Sequence, residues 1–190
     1  METVNIMIVG VGGQGSLLAS KLLGYLLLTR GYDVKVSEVH GMSQRGGSVV
    51  TYVRFGDKVY SPIIDRGEAD FIVSFELLEA ARWLPCLKTG GAVVTNTQQI
   101  DPMPVVTGQM KYPEDLAAKI AEKGVKIDAF DCLSLAEQAG SLKAVNIVLL
   151  GRLSHYFDFP DEVWQKALEA SVPAKVLEIN RKAFRLGQDA

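Results

Sequence analysis

The stretch Val4-Asn5-Ile6-Met7-Ile8-Val9-Gly10-Val11-Gly12-Gly13-Gln14-Gly15 decides the fold. A six-residue apolar run, Val4–Val9, is too short for a helix and fits a buried strand. It ends in glycines that permit a tight turn. An apolar helical stretch follows from about Gln14 to Thr29, and Gly31 stands where a helix stop belongs. Asp33–Glu38 (DVKVSE) then alternates as a second strand. Strand, glycine turn, helix and strand together open a parallel α/β sheet. The helix is apolar nearly all round, with Leu17, Leu18, Leu22, Leu23, Leu26, Leu27 and Leu28, so it is expected to be covered on two sides.

Outward from this unit, Ser48–Phe55 and Lys58–Ile64 are expected to be strands joined by a hairpin turn at Gly56-Asp57. Ala69–Phe75, Ala92–Asn96 and Val125–Asp131 read as further strands. Glu76–Leu87 and Pro113–Lys123 read as helices, the first disturbed at its end by Pro85. The Pro-rich segment Asp101–Pro113 reads as a loop. Helices are expected over Ser134–Ala139, Lys143–Phe157, Asp161–Ala170 and Pro173–Leu186, with Asp161 as an N-cap and Gly187 as a C-cap. The expectation is a single domain over residues 1–190. It is an α/β chain with a Rossmann-like, mostly parallel sheet, an inserted β-hairpin and a helical segment of about the last 50 residues.

Composition narrows the function. Of 190 residues, 48% are hydrophobic and 22% charged, which excludes a disordered chain. Twenty Lys+Arg against 22 Asp+Glu leave a net charge of −2, without the basic footprint of a nucleic-acid binder. The mean hydropathy of +0.15 hints at surface covered by a partner. The start METVNIMIVG lacks the basic n-region of a secretory signal. Leu22–Leu28 and Val145–Leu150 fall far short of the roughly 20 residues that span a bilayer. A cytoplasmic protein outside the membrane is expected. Cys86 and Cys132 are too few and too far apart for a thiolate cluster or zinc site.

Two motifs carry chemistry. Gly10-Val11-Gly12-Gly13-Gln14-Gly15 has the G-x-G-x-x-G spacing, in which backbone N–H groups approach a phosphate at a helix N-terminus. The same glycines equally serve close helix–strand packing. Glu38 ends the second strand, where a ribose-binding acid would sit. The loop His40-Gly41-Met42-Ser43-Gln44-Arg45-Gly46-Gly47 occupies the rim of the same cleft. In it Arg45 can hold a phosphate or carboxylate bidentately and His40 can act as an acid or base near neutral pH; the open alternative is an interface or turn loop in which Arg45 caps carbonyls and His40 is a satisfied surface residue. Asn146 and Asn180 lie in apolar helices and are expected to tie helix to backbone. Trp83, Trp164 and His155 read as structural. There is no Walker A loop, H-E-x-x-H, nucleophile elbow or thiamine-type G-D-G motif, so the chain alone looks catalytically poor.

These residues resemble a known family. Gly10-x-Gly12-Gly13-Gln14-Gly15, the loop Glu38–Gly47, Val53-Arg54, Asn146-x-x-x-Leu150-Gly151 and Asn180-x-x-Ala183-Phe184-x-x-Gly187 are similar, in order, to the gamma subunit of 2-oxoacid:ferredoxin oxidoreductases. The His-Gly-Met-Ser-Gln-Arg-Gly-Gly form is similar to the beta subunit of the indolepyruvate branch. The resemblance implies oxidative decarboxylation of a 2-oxo acid to an acyl-CoA with reduction of ferredoxin. It implies that thiamine diphosphate and [4Fe–4S] clusters belong to a large partner subunit, with coenzyme A as co-substrate and no cofactor held firmly by this chain. On that basis no catalytic or metal-binding residue is expected here. Gly10, Gly12, Gly13, Gln14, Gly15, His40, Gln44, Arg45, Gly46 and Gly47 are the candidate contacts to coenzyme A or the partner's site. A homodimer of the isolated chain is open. So is the alternative of a stand-alone Rossmann-type nucleotide-binding enzyme, adenylating or NAD-dependent.

Overall fold

A computed structural model describes residues 2–38 and 46–190. The opening unit forms where the glycines place it. β1 spans Val4–Val11, α1 spans Ser16–Thr29 and β2 spans Asp33–Glu38. Gly31 takes φ +84°, the left-handed conformation that ends a helix at little cost. The strands β3 (Ser48–Gly56), β4 (Ala69–Ser74), β5 (Leu87–Asn96) and β6 (Lys126–Phe130) complete a six-stranded sheet. Its order is β2-β3-β1-β4-β5-β6. β1, β4, β5 and β6 are mutually parallel, in register Ile6↔Phe71, Ile72↔Val93 and Val93↔Ile127.

β3 is inserted antiparallel between β1 and β2, pairing Ile6 with Val53 on one side and Val36 with Val53 on the other. The hairpin is therefore made by β2 and β3. Lys58–Ile64 is not a strand, which corrects the sequence expectation. Side chains meet the backbone groups of that stretch instead. Asp33 accepts from Val59 N–H at 2.9 Å. The Arg54 guanidinium donates to Ser61 O at 3.1 Å and also to Ile63 O. Pro62 has no N–H to give a ladder.

The remaining helices are α2 (Leu77–Trp83), α3 (Met103–Val106), α4 (Leu116–Glu122), α5 (Cys132–Ala139), α6 (Val145–Leu153), α7 (Asp161–Ser171) and α8 (Leu177–Gln188). Successive β1 side chains point to opposite faces. Ile6 and Ile8 join a core with α1, α5, α6, α7 and α8, whereas Met7 and Val9 join a smaller one with α2 and α4. α1 packs on the sheet and under α6 and α7 as its apolar surface demands. Leu22, Leu23, Leu26 and Leu27 are fully buried, each stabilising by about 1.5–3 kcal/mol. Leu17 and Leu28, however, remain exposed.

Two expected caps are corrected. Pro160 precedes α7, and Asp161 lies in the first turn, where its charge suits the helix dipole without a capping hydrogen bond. Gly187 lies inside α8. A Cβ there would stand 1.9 Å from Val148 O, and one at Gly151 would stand 2.1 Å from Phe184 O. These glycines let the backbones of α6 and α8 touch. Among the described residues, no helix is long and apolar enough to cross a membrane.

Candidate functional site

α1 and α2 leave the carboxyl ends of β1 and β4 toward opposite faces of the sheet, which opens a crevice between them. The Gly-rich turn lines it. Gly10 has no room for a Cβ, which would meet Gln14 Oε1 at 2.8 Å and Phe75 Cβ at 2.9 Å. Gly15 caps α1 at φ +93° and packs against Asn146, whose Nδ2 donates to Gly15 O at 3.2 Å. That bond ties α6 to the turn, as expected for Asn146. Asn180 Nδ2 donates to Val176 O, the residue that precedes α8. His155 Nε2 lies 2.8 Å from Gln188 O, and Trp164 is buried in the core, both structural positions.

Gln14 spans the crevice. Its Oε1 accepts from Val11 N–H at 2.7 Å, and its Nε2 donates to Phe75 O at 3.2 Å, with Gln98 Oε1 at 3.4 Å. Asn96, fully buried at the end of β5, donates to Phe75 O at 3.2 Å and to Gln98 Oε1 at 3.3 Å, and accepts from Cys132 N–H at 3.1 Å. One amide network thus joins the carboxyl ends of all four parallel strands. Such a hydrogen-bonded network rigidifies the floor of the crevice.

Gly12 N–H donates to Gly47 O at 2.9 Å. The turn and the end of the Arg-Gly-Gly loop are therefore brought together. Gly13 (φ +102°) and Gly46 (φ +87°) both have open space where a Cβ would stand. His40, Gln44 and Arg45 lie outside the described residues. Glu38, placed where a ribose-binding acid would sit, accepts from Ser20 Oγ at 2.8 Å, so its carboxylate is engaged by α1.

Sequence reasoning did not single out the carboxylates of α2. Glu76 caps the helix, accepting from Glu79 N–H at 2.8 Å. Its other oxygen accepts from Ile100 N–H at 3.1 Å and from the Tyr112 hydroxyl at 2.5 Å. Tyr112 OH in turn accepts from Leu78 N–H at 3.0 Å. Burial and the Glu76 carboxylate raise the Tyr112 hydroxyl well above its ordinary pKa. Glu79 pairs with Arg82 and accepts from Ser48 Oγ. The available signal was position: Glu76, Asn96 and Gln98 all lie at or just after strand carboxyl ends, where ligand sites gather in such sheets.

The Cys132 thiol is raised far above its ordinary pKa by burial, which disfavours a thiolate nucleophile. Among the described residues, no group of three or more His, Cys, Asp or Glu side chains is placed to hold a metal ion. Two cysteines do not fit a [4Fe–4S] cluster, which takes four thiolates.

Comparison with known proteins places this architecture. The profile of the family described as pyruvate ferredoxin/flavodoxin oxidoreductase matches residues 5–190. Indolepyruvate oxidoreductase subunit IorB of Thermococcus kodakarensis is 48% identical over 195 residues, covering all of this chain and 96% of its own. The protein of the same name from Archaeoglobus fulgidus is 36% identical, covering 97% and 93%. The keto/oxoacid ferredoxin oxidoreductase gamma subunit from Geobacter sulfurreducens superposes with TM-score 0.75 at 24% identity, covering 100% of this chain and 96% of that one. The 2-oxoglutarate:ferredoxin oxidoreductase from Magnetococcus marinus superposes with TM-score 0.75 at 21% identity, with this chain matching 31% of that longer one. On the profile match over residues 5–190 and the IorB identities, the chain belongs to the pyruvate ferredoxin/flavodoxin oxidoreductase family.

Proposed function

We propose that this chain, as one gamma-type domain over residues 1–190, is the subunit without bound cofactor of an indolepyruvate-type 2-oxoacid:ferredoxin oxidoreductase in the cytoplasm. The observation that carries this is the 48% identity to an IorB subunit along the whole chain. The reaction converts a 2-oxo acid, coenzyme A and two oxidised ferredoxins into an acyl-CoA, CO₂, two reduced ferredoxins and a proton. Thiamine diphosphate and [4Fe–4S] clusters, on the large partner subunit, supply the decarboxylation and electron-transfer chemistry.

This chain's own part is to form one wall of the cleft. The Gln14–Asn96–Gln98 network holds the crevice floor, and the Gly12–Gly47 bond holds the Gly-rich turn beside the loop. Gly12, Gly13, Gly46 and Gly47, with His40, Gln44 and Arg45 of the loop, are the candidate contacts to coenzyme A or the partner, whereas Gly10, Gln14 and Gly15 shape the turn from within. Arg45 supplies a guanidinium for a coenzyme A phosphate. Glycines at Gly13 and Gly46 leave space for an incoming group. Arg45→Ala in the assembled complex tests this. It is expected to raise the KM for coenzyme A about tenfold or more, the worth of one charge-assisted hydrogen bond, or to weaken assembly. Unchanged KM together with unchanged assembly would remove the assignment.

A further inference from the structure

Glu76 and Glu79 are 1% and 3% exposed, and both belong to the start of α2, Glu76 as its cap. A carboxylate is buried at such a cost only where partners meet its oxygens. Glu76 is engaged by the α2 backbone and by the 97–113 segment through Ile100 and Tyr112. Glu79 reaches the other way. One oxygen pairs with Arg82 at 2.9 Å, and the other takes the Ser48 hydroxyl.

Ser48 sits opposite Val11 in the last pair of the β1–β3 ladder, directly after Arg45-Gly46-Gly47. A ladder end frays unless something outside it holds it. Here the two adjoining residues are each held: Gly47 O by Gly12 N–H and the Ser48 side chain by Glu79. We infer that Glu79 is a positioning residue, fixing through Ser48 the point at which Gly46-Gly47 joins β3 beside the Gly-rich turn. A segment anchored this way loses less conformational freedom when it contacts a ligand. The inference rests on the reading above, in which the Arg45 loop serves coenzyme A.

Hydrogen exchange on the full chain tests the anchor, with the Gly12 amide as reporter of the Gly12–Gly47 bond. Ser48→Ala and Glu79→Ala are each expected to speed Gly12 exchange about tenfold. Amides of Ile72 and Val93 at the sheet centre should keep parental rates. Glu79→Gln, which retains an acceptor oxygen, should recover part of the protection. No change at Gly12, or equal acceleration everywhere, would overturn the inference.

In the complex, Glu79→Ala should raise the KM for coenzyme A about fivefold and leave that for the 2-oxo acid unchanged. The rise should vanish in an Arg45→Ala background. If Arg45→Ala raises the KM and Glu79→Ala does not, the positioning role fails and the proposed function stands. If Gly12 responds selectively while Arg45→Ala leaves the KM unchanged, the anchor stands and the loop's assignment to coenzyme A fails.

Discussion

Gly187→Ala and Gly24→Ala place the same chemical change in two helix interiors and should move stability in opposite directions. By intrinsic propensity alone, Gly→Ala inside a helix stabilises by about 1 kcal/mol. At Gly24 of α1 the added Cβ would meet only Val36 Cγ2, at 3.8 Å, an ordinary contact. Propensity therefore decides, and Gly24→Ala should gain about 0.5–1 kcal/mol. At Gly187 the Cβ would stand 1.9 Å from Val148 O and 3.0 Å from Val148 Cα, all backbone atoms of α6. No rotamer relieves that overlap, so α8 must move off α6 by about 1 Å. A gap of that size forfeits a quarter to a half of each dispersion contact it opens. Overpacking a core costs roughly 1–3 kcal/mol, and a backbone contact sits at the top of that range. Net of propensity, Gly187→Ala should lose about 2 kcal/mol. For a chain of this size, thermal unfolding should show a fall of roughly 4–8 °C for Gly187→Ala and a rise of about 1–4 °C for Gly24→Ala. A Gly187→Ala midpoint equal to or above the parent would refute the close-contact reasoning.

Three further outcomes follow from the same geometry. Gln14→Leu leaves Val11 N–H without its side-chain acceptor and Phe75 O with Asn96 as its remaining side-chain donor, and should cost about 1–3 kcal/mol in urea unfolding. Asn146→Ala removes the tie from α6 to Gly15 O and should cost about 1 kcal/mol, with faster exchange in the first turn of α1. Burial alone would raise the Asp128 carboxyl, but hydrogen bonds from Arg152 and Tyr156 overcome it and hold the pKa below the usual range. A depressed folded pKa contributes stability that is present above the unfolded value and lost as pH falls through the folded one. Stability should therefore drop below about pH 4, and Asp128→Asn should flatten that drop in acid titrations followed by circular dichroism.

Local chemistry explains why the opening unit was legible. The Val4–Val9 run, Gly31 and the apolar face of α1 act through near neighbours, and each formed as its residues dictate. The place of β3 between β1 and β2 was not legible, because strand order is set by distant pairings such as Ile6↔Val53. Lys58–Ile64 alternates like a strand, yet Asp33 and Arg54, remote in sequence, take its backbone groups. Gly187 looked like a cap because a glycine that ends a helix and one that admits a neighbouring backbone look alike in sequence. At the site, the Gly-rich turn and its Gln14 stood out by spacing. Asn96, Gln98, Glu76 and Glu79 meet them only through the sheet, and no short motif joins them. Of the motif's glycines, Gly10 and Gly15 pack closely, as the packing reading expects, whereas Gly13 has open space where a Cβ would stand.

The central claim is that this chain completes a 2-oxo-acid oxidoreductase. Its most direct test is anaerobic co-expression with the neighbouring large-subunit reading frame, followed by dye reduction dependent on indolepyruvate and coenzyme A. The account predicts a brown complex that reduces dye only when both chains are present. Failure of the two chains to co-purify, with this chain instead binding ATP or NAD tightly on its own, would contradict it.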